Sequence, residues 1–85
     1  MIDMLEERIL VENKSDLVSL IFSLVKDLRE NPEAWQNGDL VSYLEAMAAW
    51  VEDMDGYYEN THQAQPECAA LNVVADMLMA ARVYE

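Results

Sequence analysis

The stretch from Asp39 to Asn60, DLVSYLEAMAAWVEDMDGYYEN, is the part of the chain with the least structural freedom. At 100° per residue, Leu40, Tyr43, Leu44, Met47, Trp50, Val51, Met54, Tyr57 and Tyr58 fall in one continuous apolar arc. That recurrence is the signature of an amphipathic helix. Glu45, Glu52 and Glu59 recur every seven residues on another face, and Tyr43, Trp50 and Tyr57 form an aromatic ladder at one edge of the arc. Asp39 is placed to cap the helix, which is expected to run to about residue 58. Gly56, expensive inside a helix, is expected to mark a kink or an early end.

The neighbouring segments repeat the pattern. Ser15 is a candidate N-cap with Asp16 behind it. Leu17, Leu20, Ile21, Leu24, Val25 and Leu28 then give a helix over about 16–30, with Lys26 and Arg29 favourable in its last turn and Pro32 stopping it. Asn31 to Gly38 is a connector in which Pro32 to Trp35 make a single turn and Trp35 plugs the end of the core. After the polar loop 60–66, Pro66 and Glu67 lead into a helix over about 67–83, with Leu71, Val74, Ala75, Leu78 and Ala81 as its apolar stripe. The expected fold is all-α: a small antiparallel three-helix bundle. Residues 1–14 are expected to add a short helix or an extended segment.

With 85 residues there is room for one domain, and 53% apolar content supplies a core rather than a disordered acidic tail. No apolar run approaches the ~18 residues of a membrane span, and Asp3, Glu6 and Glu7 stand ahead of the apolar run Ile9 to Val11, the wrong charge for a secretion signal. One cysteine, Cys68, suits a reducing compartment. The expected location is the cytoplasm. The formal net charge is −12, and no Lys or Arg lies between Arg29 and Arg82. Such a field repels nucleic acid and anionic membrane and attracts basic protein surfaces.

From Trp35 to Asn60 and from Ala75 to Glu85 the chain resembles a family of small bacterial proteins described only as a domain of unknown function. The residues that carry the resemblance are the run LEAMAAWVEDMDGYYEN, with Trp35, Asn37 and Leu40 before it, and ADMLMAARVYE at the end. The likeness extends more loosely to the helix that begins near Ser15. One departure is Leu71, where an aromatic is expected early in the last helix. The resemblance implies a compact helical fold and no particular activity.

The chemistry-bearing residues give little to an enzyme. Asp53-Met-Asp55-Gly56 suggests a calcium loop, but with Gly56 at the sixth loop position Val51 and His62 would occupy the first and twelfth, where carboxylates are required. Glu52, Asp55 and Glu59 share i, i+3, i+7 spacing that could hold a hard cation, yet a solvated acidic face explains them as well. His62 and Cys68 lie six residues apart across a loop and a helix start, without a second histidine or a glycine-rich phosphate loop. No catalytic residue, metal or cofactor is expected.

The expected function is a non-enzymatic module that docks on a basic protein surface, as an inhibitor or immunity-like protein would. Its carboxylates would be Glu45, Glu52, Asp53, Asp55 and Glu59, with Trp50 and Tyr57 as anchors. Core packing is the structural alternative for the aromatic ladder. Two other readings stand beside it: an assembly subunit that forms a homodimer through the aromatic edge, and a nucleic-acid mimic of the anti-restriction or anti-CRISPR kind. Mimicry fits one helix poorly. Duplex DNA carries a charge every ~1.7 Å of axis, whereas glutamates seven residues apart on a helix are ~10.5 Å apart.

Overall fold

In the computed structural model, residues 11–84 are described, and among them three α-helices and a short 3-10 turn are the only regular elements. Helix α1 runs Lys14–Glu30, the 3-10 turn Pro32–Ala34, α2 Leu40–Asn60 and α3 Cys68–Ala81. The all-α class is therefore the expected one, consistent with a small helical bundle. The expectations for the first ten residues lie outside the described part. Val11 to Asn13 are not helical.

Helix α1 starts earlier than Ser15 would place it. Asn13, in extended backbone, is the cap, and its Oδ1 accepts from the Asp16 amide at 2.8 Å. Asp16 Oδ2 in turn accepts from the Glu12 amide at 3.1 Å. Counting from Asn13 puts Asp16 at the third helical position, where an acid can reach back and satisfy a second amide. A cap at Ser15 would put Val18 there, which has nothing to offer. At the other end, Arg29 lies in the last turn and the Asn31 amide donates to the Asp27 carbonyl at 2.8 Å. Lys26 and Glu30 approach to 4.0 Å with both side chains in water, a pair of small worth.

Helix α2 is capped as expected: the Ser42 amide donates to Asp39 Oδ1 at 2.9 Å. These bonds, the Ser42 amide first, hold the Asp39 carboxyl below its ordinary value of 3.8. The helix does not break at Gly56. It continues to Asn60 and ends in a Schellman motif. The Gln63 amide donates to the Tyr58 carbonyl at 2.9 Å and the His62 amide to the Glu59 carbonyl at 3.2 Å. His62 occupies the left-handed position at φ 58°, where glycine is usual. Helix α3 begins one residue after Glu67. That residue gives no side-chain cap, although its carbonyl accepts from Ala70 and Leu71.

The chain divides into two compact units, the first ending at Ala46 and the second beginning at Met47. In the first, Asp27 ties α1 to the connector. Its Oδ2 accepts from Trp35 Nε1 at 2.7 Å, and its Oδ1 from Asn31 Nδ2 at 3.1 Å. Trp35 stacks on Tyr43 with ring centroids 6.1 Å apart. Ile21, Leu24, Val25, Leu28, Trp35, Leu40 and Tyr43 line an apolar groove of about 350 Å³. Trp35, expected to plug the core, is half-buried in this wall. In the second unit Met47, Met54, Tyr57 and Tyr58 are the half-buried residues of α2, and Gln65 Nε2 donates to the Asp55 carbonyl at 3.2 Å. No side chain among the described residues is fully buried.

Candidate protein-binding surface

All seven candidate residues lie on α2. Glu45 belongs to the first unit, and Trp50, Glu52, Asp53, Asp55, Tyr57 and Glu59 to the second. The five carboxylates are exposed, and among the described residues none of them makes an ion pair. The polar face of an amphipathic helix accounts for that exposure. The Glu45 side chain is exposed on the first unit.

The second unit sorts its six residues onto two sides of the helix. Residues two apart on a helix of 3.6 residues per turn lie ~160° apart the short way round. Glu52 therefore projects away from Trp50, and Glu59 away from Tyr57. Asp53 bridges the sides, being three residues from Trp50 and four from Tyr57, the spacings at which helical side chains are neighbours. A flat partner can meet Glu52 and Glu59 or the aromatic edge, with Asp53 common to both.

Gly56 lies within the acidic side. Its helical neighbours at three and four residues are Glu52, Asp53, Glu59 and Asn60. A Cβ built there would meet nothing within 4 Å among the described residues, so no packing contact among them demands a glycine. The effect is a stretch of bare helix backbone framed by carboxylates.

The aromatic ladder is split. Tyr43 pairs with Trp35 in the first unit. Trp50 instead joins a trio with Tyr57 and Tyr58, at centroid separations of 5.5, 6.3 and 5.2 Å. Tilted and edge-on geometries of this kind are the favoured ones for aromatic rings. Trp50 keeps 36% of its surface in water while the two tyrosines are half-buried. Tyr58 and Trp35 were not singled out as partners of the ladder, because side-chain lean and loop return are invisible to a fixed seven-residue spacing.

Other chemistry is sparse. Among the described residues no group of three or more His, Cys, Asp or Glu is gathered to hold a metal ion. Cys68 is a free, exposed thiol at the first position of α3. No described helix is long and apolar enough to cross a membrane.

Fold and surface together define a small, acidic, all-helical module whose central helix separates a carboxylate side from an aromatic side. The chain belongs to DUF7660, a family of unknown function, which it matches over residues 13–85. No curated protein and no solved structure matches it.

Proposed function

We propose that this protein is a non-enzymatic module that docks on a basic surface of another protein, in the manner of an inhibitor or immunity protein, within the reducing cytoplasm. The observation that carries the reading is the acidic side of α2: Glu52, Asp53 and Glu59 surround the open backbone at Gly56 and make no ion pair among the described residues. A glycine inside a helix costs about 0.5–1 kcal/mol relative to alanine. With no contact among the described residues to explain it, Gly56 fits a position where a partner's side chain comes close to the helix and is met by carboxylates. Lysine or arginine is the complementary chemistry. Asp55 and, further up the helix, Glu45 add to the field that steers such a partner. Trp50 and Tyr57 serve as the apolar anchors where the partner reaches past Asp53.

The test is affinity capture from lysate of the source cell, at low and moderate salt, followed by titration of the captured protein. It compares the wild type, a Glu45→Gln/Glu52→Gln/Glu59→Gln variant, and Gly56→Ala. A basic protein held by the wild type alone, and released by salt, is the expected result. Gly56→Ala should melt higher yet bind more weakly. Equal retention by all three would remove the acidic side as the binding surface.

A further inference from the structure

An asparagine followed by glycine is a reactive pair wherever the amide nitrogen between them is free, because glycine has no side chain to shield that nitrogen. The chain has one such pair, Asn37-Gly38, just ahead of α2. Both residues are exposed, and both border the apolar groove of the first unit. Among the described residues, neither the Gly38 amide nor the Asn37 side chain makes a hydrogen bond.

The other four asparagines are each held away from this chemistry. The Asn13 side chain accepts from the Asp16 amide. The Asn31 side chain donates to Asp27, and the Pro32 that follows has no N–H. After Asn60, the Thr61 amide donates to the Tyr57 carbonyl at 3.1 Å. After Asn72, Val73 lies inside α3, whose hydrogen-bond ladder takes up its amide. The ladder of α2 does the same for Gly56, which follows Asp55.

We propose that Asn37 is a site of spontaneous deamidation. Solvent base removes the Gly38 amide proton, and the nitrogen attacks Asn37 Cγ. The new N–Cγ bond closes a cyclic imide while Nδ2 takes up a proton and leaves as ammonia. Water then opens the ring. Addition at Cγ gives aspartate in the ordinary main chain. Addition at the Asn37 backbone carbonyl carbon gives isoaspartate, with the main chain rerouted through Cβ and Cγ. Either product places a new negative charge beside the groove. The isoaspartate also lengthens, by one methylene, the path from Trp35, which bonds Asp27, to Asp39, which caps α2. The change needs no partner, so it stands apart from the basic-surface reading.

Gly38 is open to substitution. Its φ is not positive, and a Cβ built there would lie 3.6 Å from Leu28 Cδ1, an ordinary contact. Gly38→Ala should therefore keep its helicity while its methyl group hinders the attack.

The test holds the folded full-length chain in heavy-oxygen water at mildly alkaline pH, then digests it in ordinary water for peptide mapping by mass spectrometry. The expected result is heavy oxygen on the Asn37 peptide ahead of every other asparagine, arriving faster as pH rises and divided between aspartate and isoaspartate. Gly38→Ala should slow it severalfold. Should that variant lose helicity, Asn37→Gln decides, since its longer side chain closes a ring far more slowly and should leave the peptide unlabelled. Label reaching another asparagine first overturns the proposal, as does a folded Gly38→Ala or an Asn37→Gln that labels at the wild-type rate. Label that reaches Asn37 only in urea also overturns it, because the fold would then be holding the Gly38 amide.

Discussion

The connection from α1 to α2 and the connection from α2 to α3 turn the chain by opposite means. The first is held by side chains: Asp27 accepts from Trp35 and Asn31, Trp35 stacks on Tyr43, and Asp39 caps the helix that follows. The second is held mainly by backbone. The Gln63 and His62 amides fold onto the last carbonyls of α2, and Thr61 Oγ1 adds a bond to the Tyr57 carbonyl at 2.8 Å. The first turn depends on which residues are present, the second on a backbone conformation that the residue present tolerates poorly. Substitution should therefore weaken the first and can strengthen the second.

The largest effect is expected from Trp35→Ala, which removes the indole bond to Asp27, the stack on Tyr43 and part of the groove wall together. A loss of about 2–3 kcal/mol, read as a lower urea midpoint, is the expected outcome. No change would mean that the connector does not contribute to stability. Trp35→Phe keeps a ring on Tyr43 but leaves Asp27 one donor short, for about 1–2 kcal/mol. A midpoint equal to that of Trp35→Ala would show that the hydrogen bond, not the stack, carries the turn.

In the second connection the sign reverses. His62→Gly relieves the left-handed residue and should raise stability by about 1 kcal/mol, while His62→Val should lower it. A lower melting temperature for the glycine variant would reveal an interaction of the imidazole that the geometry does not show. Gly56→Ala, one turn and a half earlier, should raise stability by about 0.5–1 kcal/mol. Asp39 gives the smallest effect. Its folded value lies below the ordinary 3.8, so its contribution is present above that value and is lost as pH falls through the lowered one. Asp39→Asn keeps a cap oxygen and should flatten that part of the acid limb of helicity against pH; an unchanged limb would place the acid sensitivity elsewhere.

The same contrast sets what could be read from the residues. Helix identity was legible throughout, because apolar residues recur at 3.6-residue spacing in all three helices and Pro32 and Asp39 punctuate them. The end of α2 was not. Sequence rules look for glycine at the stop, and here the glycine sits inside the helix at Gly56 while histidine occupies the stop. Nor was the start of α1: Ser15 is the expected cap, whereas Asn13 holds the Asp16 amide and Asp16 reaches back to the Glu12 amide. At the candidate surface, the acidic side was legible from spacing alone. The pairing of Trp35 with Tyr43 was not, since it depends on a loop returning to the helix. The Trp50 trio depends on two side chains leaning along the axis towards each other, which no periodicity encodes.

The Asp27–Trp35 bond also has an optical consequence. The protein has two tryptophans, each with its own tyrosine neighbours: Tyr43 beside Trp35, and Tyr57 and Tyr58 beside Trp50. Light absorbed by those tyrosines passes to the adjacent indole, and an indole bonded to a carboxylate emits differently from one ringed by phenols. Each connection thus carries its own intrinsic reporter. With Trp35→Phe or Trp50→Phe, the opening of either turn can be followed separately in the unlabelled chain.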